Sequence, residues 1–169
     1  MKNLVLIGMP GSGKTTVGKA LLSLLNGFSL ADIDEEIVKS EKREITEIFK
    51  ENGEDYFRNL ETQTLKKYQN TQNIIISTGG GVVEREENLE ILKNIGCTIY
   101  IKCSVETLFE RVREDNSRPL LRVEDIKERL AALYLRRDKK YQKADYTIDT
   151  EDLTPEECAK KILKEIKYE

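Results

Sequence analysis

The chain has 169 residues, 38% of them hydrophobic and 35% charged, and this size and composition predict one globular domain over residues 1–169. The formal charge of -3, from 28 basic and 31 acidic residues, excludes a global positive field for nucleic acid, so any anion site must be local. There is no histidine to act as a base, and the three cysteines lack the CxxC spacing of a zinc cluster or a disulfide framework.

Strand-like and helical segments alternate along the chain, which is the order of an α/β domain. The N-terminal apolar run at 4–7 is too short for a signal peptide or a membrane span, so we expect a cytoplasmic protein without a membrane partner. The β-branched runs at 73–77 and 98–102 predict buried parallel strands. In chain order, the predicted segments are strand 3–7, helix 14–26, strand 28–31, helix 34–68, strand 73–77, helix 88–94, strand 98–102, helix 105–113, helix 123–140, strand 146–148 and a C-terminal helix.

A polar segment at 114–119 separates two of the predicted helices and contains nothing to anchor it in a core. It includes Arg118 and Pro119, and its composition predicts a mobile loop. We expect residues 113–124 to form a lid that closes over a bound nucleotide and excludes water from it.

The strongest motif is a phosphate-binding loop. Residues Gly8–Thr15 match G-x-x-x-x-G-K-[ST] between a predicted strand and a predicted helix, which is the context that this motif requires. The glycines would let backbone N–H groups surround an anion, Lys14 would reach the outer phosphates, and the Thr15 hydroxyl would join a Mg²⁺ shell. The motif therefore predicts an enzyme that uses ATP and Mg²⁺, and it favours this over a glycine-rich turn without a ligand.

Two aspartates, Asp32 and Asp34, stand at the end of the second predicted strand, where open α/β sheets place ligand groups. Asp32 would face the Mg²⁺–nucleotide side, while Asp34 would orient an acceptor hydroxyl and take its proton. Either residue could instead be the N-cap of the helix that follows.

Further candidates lie in three segments, each with an ordinary alternative. Arg58 and Glu61 are three apart on a predicted helix, so the carboxylate can orient the guanidinium for a bidentate ligand, although such a pair is more often a surface ion pair. The glycine triplet at 79–81 is either a backbone surface for a substrate or a flexible turn. Arg136 and Arg137 lie on a helix where a solvated basic face is the default, and the residue pattern does not decide which of Arg118, Arg136 and Arg137 has a function.

Taken together, these residues resemble the shikimate kinase family, and the similarity runs from residue 4 to the final helix. The segments that carry it are GMPGSGKTT at 8–16, DID at 32–34, FRNLE at 57–61, GGG at 79–81, RPLL at 118–121 and RRDKKY at 136–141. The resemblance implies a P-loop kinase fold like that of nucleoside monophosphate kinases, with a five-stranded parallel sheet flanked by helices, a substrate-binding region at about 32–61 and a lid. It implies phosphorylation of shikimate by ATP to shikimate 3-phosphate, in aromatic amino-acid (chorismate) biosynthesis, and we expect a monomer.

The resemblance also implies roles for particular residues. Arg58 and Arg137 would hold the carboxylate of shikimate, Asp34 would hold its hydroxyls, and Arg118 would be the lid arginine that meets the transferring phosphoryl group. The implied catalytic residues are Lys14, Asp34 and Arg118. The implied shikimate contacts are Asp34, Arg58, Gly79, Gly80, Gly81 and Arg137. The implied ATP contacts are Gly11, Ser12, Gly13, Lys14, Thr15, Thr16, Arg111, Arg118 and Pro155, and the implied Mg²⁺ ligands are Thr15 and Asp32.

Two alternative functions remain open on the residues alone. Another small-metabolite P-loop kinase, such as a gluconate or nucleotide kinase, would keep the loop but need other acceptor contacts; Arg58 and Arg137 favour a hydroxylated carboxylate over a nucleobase. A nucleotide-dependent regulatory module would hold ATP without an acceptor, and it would hydrolyse ATP slowly whether or not shikimate is present.

Overall fold

A five-stranded sheet organises the chain. The computed structural model describes residues 3–113 and 125–167. Within these ranges all strands are parallel and lie in the order β2-β3-β1-β4-β5. The strands are β1 Asn3–Ile7, β2 Ser29–Asp32, β3 Ile74–Ser77, β4 Gly96–Lys102 and β5 Tyr146–Asp149. The expected five-stranded parallel α/β fold is confirmed.

Helices pack on both faces of this sheet. In the described ranges they are α1 Lys14–Leu24, α2 Ile33–Glu41, α3 Ile45–Lys66, α4 Glu86–Ile95, α5 Val105–Val112, α6 Ile126–Tyr141 and α7 Pro155–Glu165. On β1, Leu4 and Leu6 belong to a core that includes residues of α1 and α7, whereas Val5 and Ile7 belong to the core on the opposite face. This two-sided burial explains the continuous apolar runs in β1, in β3 and in the middle of β4.

The predicted helical stretch 34–68 is divided into α2 and α3. Lys42 ends α2 in the left-handed conformation, with φ 55°, and a capping box formed by Glu44 and Glu47 begins α3. Gly53, with φ 81° and ψ 175°, then interrupts α3. Both parts of α3 border the site: Ile45 and Phe49 lie before the kink, and the charged residues Arg58 and Glu61 lie after it.

The topology gathers the predicted motifs at the carboxyl ends of the strands. The loop Gly8–Thr15 follows the central strand β1, Asp32 is the last residue of β2, and the glycine triplet follows β3. Because these three strands are neighbours, their carboxyl ends form one edge at which open α/β sheets bind ligands.

The predicted lid and the expectation about a membrane span concern other parts of the chain. Residues 114–124, which include most of the predicted lid together with Arg118, lie outside the described residues. A helix long and apolar enough to span a membrane is absent from the described ranges.

Candidate active site

The loop after β1 closes around the amino end of α1. Its glycines have positive φ angles, 151° at Gly8, 81° at Gly11 and 89° at Gly13. At Gly11 a side chain is also excluded by space, since a Cβ there would lie 2.4 Å from Cγ1 of Val112. Gly13 is the N-cap of α1 and provides no side-chain acceptor for the first turn. The N–H groups of that turn are therefore available to an anion such as phosphate.

Two cations border this loop. The side chain of Lys14 is buried, and its Nζ donates to the carbonyl oxygens of Gly8, at 2.9 Å, and Met9, at 2.8 Å. Nη1 of Arg111 donates to the carbonyl oxygen of Ser12 at 3.3 Å. Positive charge thus adds to the backbone N–H groups at the place where the motif predicts phosphate.

Thr15 and Asp32 meet beside the loop. The Thr15 hydroxyl donates to Oδ2 of Asp32 at 2.6 Å, and it lies 3.0 Å from the hydroxyl of Ser77. The other carboxylate oxygen of Asp32 accepts from the backbone N–H groups of Asp34 and Glu35, which makes Asp32 the N-cap of α2. Asp32 therefore serves as the helix cap and also presents an oxygen next to Thr15.

Asp34 lies one residue inside α2, with its carboxylate against the glycine triplet. A Cβ on Gly79 would lie 2.8 Å from Oδ1 of Asp34 and the same distance from Oε1 of Glu61. The capping alternative therefore applies to Asp32 and not to Asp34, whose side chain borders the cavity.

Arg58 belongs to a buried network of charges and not to a surface ion pair. Its Nη1 donates to Oε2 of Glu61 at 2.5 Å, its Nη2 donates to Oε1 of Glu54 at 3.0 Å, and the Glu61 side chain is 0% exposed. The guanidinium carbon lies 5.5 Å from the ring centroid of Phe57. Nε of Arg58 is buried and has no hydrogen-bond acceptor within the described part of the chain.

Burial has different consequences for the charges of Arg58 and Glu61. For Arg58, burial lowers the pKa but Glu61 and Glu54 raise it by more, so the guanidinium stays charged. For Glu61, burial and, to a smaller extent, the nearby Asp34 raise the pKa to about 7 against the opposing effect of Arg58. The Glu61 carboxyl group therefore changes its charge near neutral pH while its partner does not.

The glycine triplet is tightly packed. A Cβ on Gly80 would lie 2.6 Å from Cδ of Pro10, and one on Gly81 would lie 2.2 Å from Nη1 of Arg58. None of the three glycines has a positive φ, so space is the reason for glycine at these positions. The hydroxyl of Tyr141 on α6 donates to the carbonyl oxygen of Gly80 at 2.5 Å. Packing therefore accounts for glycine at all three positions, and their bare backbone borders the cavity.

Arg136 and Arg137 have opposite environments although they are adjacent in sequence. The Arg136 side chain is 49% exposed, whereas that of Arg137 is 1% exposed and borders the cavity. Nε of Arg137 donates to Oε1 of Glu84 at 2.5 Å. Nη2 of Arg137 is buried and has no hydrogen-bond partner among residues 3–113 and 125–167.

These groups surround one cavity of about 730 Å³, a size typical of small-molecule sites. Apolar side chains of Ile45, Phe49, Phe57 and Leu133 complete its wall. Of the described residues that the sequence predicted, Ser12 and Pro155 do not border the cavity. Those that do are Gly11, Gly13, Lys14, Thr15, Thr16, Asp32, Asp34, Arg58, Gly79, Gly80, Gly81, Arg111 and Arg137.

Sequence reasoning missed two residues that hold this arrangement together. Glu84 binds Arg137 from the turn after the triplet, and Tyr141 binds the triplet from α6. Glu84 is 53 residues from Arg137 along the chain, so local spacing carries no signal for the pair. Tyr141 is the last residue of the segment RRDKKY, and nothing in the sequence indicated its contact with the triplet.

The fold and the site together define a P-loop kinase with a second, basic binding region beside its phosphate loop. Residues 10–167 match the model of the family described as shikimate kinase. The shikimate kinase of Thermodesulfovibrio yellowstonii is 47% identical over 165 residues, covering 98% of this chain and 95% of the relative. That of Persephonella marina is 42% identical over 169 residues, covering 99% and 100%.

Solved structures give the same result. A shikimate kinase from Acinetobacter baumannii in complex with shikimate has a TM-score of 0.95 and 38% identity, and the match covers 98% of this chain and 93% of that one. The shikimate kinase of Aquifex aeolicus has a TM-score of 0.85 and 40% identity, covering 98% and 96%. The chain belongs to the shikimate kinase family. The expected activity, ATP-dependent phosphorylation of shikimate, is confirmed, and the gluconate or nucleotide kinase alternative is not favoured.

Proposed function

We propose that the cavity binds ATP and shikimate side by side. The loop of residues 11–16 would hold the nucleotide phosphates, while Arg58, Arg137 and the glycine triplet would hold shikimate with Asp34 next to its reacting hydroxyl. Both regions border one continuous cavity, which supports direct transfer between the two ligands.

The observation that carries this proposal is the pair of unused N–H donors on two buried arginines. The terminal nitrogens of Arg58 are held by Glu54 and Glu61, which leaves Nε. Arg137 is held at Nε, which leaves Nη2. Buried charged donors without acceptors are costly, and a ligand carboxylate would accept from both with charge-assisted hydrogen bonds. A small hydroxylated acid is therefore favoured over a neutral acceptor.

The transfer step follows from the position of Asp34. The acceptor hydroxyl oxygen forms a bond to the γ-phosphorus of ATP, the bond from that phosphorus to the bridging oxygen breaks, and ADP leaves. The hydroxyl proton passes to the Asp34 carboxylate late in the step, because a carboxylate is a weak base for an alcohol. Asp34 thus acts mainly by orienting the hydroxyl, with Lys14 stabilising charge on the phosphoryl oxygens.

Thr15 and Asp32 would hold Mg²⁺ beside the phosphates. Their adjacent hydroxyl and carboxylate oxygens fit a hard cation that takes few protein ligands and completes its shell with phosphate and water. When bound, Mg²⁺ would neutralise negative charge on the outer phosphates.

Three roles rest on the family resemblance in different degrees. Arg111 contacts the phosphate loop and borders the cavity, which supports a place near the nucleotide. Pro155 is the first residue of α7, and its proposed place near adenine has only the resemblance behind it. The same holds for the proposed charge of Arg118 on the phosphoryl group, since Arg118 lies outside the described residues.

A coupled assay of ADP formation tests the acceptor assignment. The acceptors would be shikimate, its analogue with a hydroxymethyl group in place of the carboxylate, gluconate and AMP. We expect rapid ADP formation with shikimate, and a kcat/KM for the hydroxymethyl analogue that is lower by roughly 10²- to 10⁴-fold, since two charge-assisted hydrogen bonds are lost.

Equal turnover of shikimate and the hydroxymethyl analogue would contradict the carboxylate site. Faster turnover of gluconate or AMP would favour another small-metabolite kinase, and slow hydrolysis indifferent to every acceptor would favour the regulatory module.

A further inference from the structure

The turn after the glycine triplet carries a carboxylate that faces three cations of α6. Glu84 accepts from Nε of Arg137 and from Nη2 of Arg136, each at 2.5 Å, and Nζ of Lys140 lies 3.5 Å away. Burial raises the pKa of Glu84, but hydrogen bonds from Arg137 and Arg136 lower it by more, to about 2. Glu84 is therefore an anion throughout the neutral range.

Glu84 occupies one edge of the Arg137 guanidinium. A guanidinium can present either Nε with one terminal nitrogen or both terminal nitrogens to a planar anion. Glu84 takes Nε and does not engage the terminal edge, where Nη2 is buried without an acceptor from the described residues. Arg58 has the complementary arrangement, with its terminal nitrogens held and Nε left over.

The turn that carries Glu84 is itself fixed to the site. The backbone N–H of Glu84 donates to the carbonyl oxygen of Gly81 at 3.0 Å. The side chain of Asn88 donates to the carbonyl oxygen of Val82 at 2.9 Å, and Tyr141 ties α6 to Gly80. Through Glu84, the position of the Arg137 guanidinium is fixed relative to the same backbone that borders the acceptor cavity.

We infer that Glu84 is a positioning residue for the acceptor: it holds Arg137 by Nε so that the terminal nitrogens of this arginine receive the carboxylate of the acceptor. Glu84 does not touch the acceptor. The inference rests on the proposed function, since it assigns a supporting residue to the carboxylate site.

Kinetics of two variants test the inference, with Glu86→Ala as the control because the Glu86 side chain is 90% exposed. Glu84→Ala removes the hydrogen-bond acceptor and the charge, whereas Glu84→Gln keeps an acceptor oxygen. We expect KM for shikimate to rise roughly 10- to 100-fold in Glu84→Ala and by a smaller factor in Glu84→Gln, the size of one charge-assisted hydrogen bond. We expect kcat and KM for ATP to stay within about twofold.

The hydroxymethyl analogue of shikimate distinguishes a loss of Arg137 positioning from a general loss of activity in Glu84→Ala. Glu84→Ala should act on this analogue with the same kcat/KM as the wild type, because Arg137 has no carboxylate to receive. An equal loss on both acceptors, or an unchanged or lowered KM for shikimate, would overturn the role of Glu84. If the wild type itself does not distinguish the two acceptors, the carboxylate site fails, and the role of Glu84 fails with it.

Discussion

The two halves of the cavity are built in different ways. The half that we propose for the nucleotide is built mainly on one continuous segment, Gly8–Thr15, which offers backbone N–H groups and a lysine at the amino end of α1. The half that we propose for the acceptor is assembled from Asp34 on α2, Arg58 on α3, the triplet after β3 and Arg137 on α6. A phosphate can be bound by local backbone geometry, whereas a carboxylate in this site depends on side chains positioned by tertiary packing.

The halves also differ in electrostatic cost. In the loop at 8–15, backbone N–H groups provide most of the anion site, and Lys14 is its single charged side chain. The acceptor half buries Arg58, Glu61 and Arg137, and each buried charge is tolerable only while its partner is present. We therefore expect substitutions in the nucleotide half to affect catalysis first, and substitutions of the buried charges Arg58, Glu61 and Arg137 to affect substrate affinity and stability together.

Lys14→Ala gives the largest expected effect and tests the nucleotide half. Loss of the ammonium removes charge from the transferring phosphoryl group, so we expect no measurable transfer in the coupled assay. Lys14 also donates to the carbonyl oxygens of Gly8 and Met9, so urea unfolding should show some loss of stability with a cooperative transition retained. Lys19→Ala, at an exposed position of the same helix, should retain turnover, and near-normal turnover in Lys14→Ala would contradict the assignment.

Asp34→Asn tests where the two halves meet. The substitution keeps the shape of the side chain but removes the charge that orients the acceptor and receives its proton, so kcat should fall on the order of 10²- to 10⁴-fold. Steady-state kinetics with saturating ATP and shikimate measure it, and Asp55→Asn, at an exposed position, is the control. If kcat in Asp34→Asn matched that of the control, Asp34 would have no role in the chemistry.

Glu61→Gln tests the electrostatic cost of the acceptor half through the pH dependence of the free energy of unfolding. The folded-state pKa of about 7 is above the ordinary 4.5, so the contribution of Glu61 to stability is full below pH 4.5 and is lost as pH rises through about 7. Glutamine imitates the protonated form, so between these pH values the variant should gain stability relative to the wild type, on the order of 3 kcal/mol.

Urea unfolding of both proteins at several pH values measures this difference. Glu87→Gln, a surface control, should show no such trend. A difference between Glu61→Gln and the wild type that stays constant from pH 4.5 to 8 would mean that the Glu61 carboxyl group is not held in an unfavourable environment.

The same division explains how much could be predicted from the sequence. The phosphate loop and the strands were readable because their signals are local: glycine spacing and runs of β-branched residues. The spacing of Arg58 and Glu61 predicted their pairing but not their burial, and it favoured a surface pair. The residue pattern alone did not separate Arg136 from Arg137, although the family resemblance selected Arg137, because which of them faces the cavity depends on how α6 packs against the rest of the protein.

Two other features had no usable local signal. The break between α2 and α3 falls at Lys42. Because lysine rarely adopts the left-handed conformation, the sequence predicted one continuous helical stretch across this position. Glu84 contacts residues 52–56 positions later in the chain, so its role depends on how the turn packs against α6 and has no local pattern in the sequence.

The central claim, that the acceptor half is a carboxylate site formed by two buried arginines, is tested most directly by calorimetric titration of Arg58→Ala, Arg137→Ala and Arg136→Ala. Each variant would be titrated with shikimate and, separately, with a non-hydrolysable ATP analogue. We predict that shikimate affinity falls by a factor of roughly 30 or more in Arg58→Ala and Arg137→Ala, by at most about threefold in Arg136→Ala, and that affinity for the ATP analogue changes little in all three. Loss of ATP-analogue binding with unchanged shikimate affinity in either buried-arginine variant would contradict the claim.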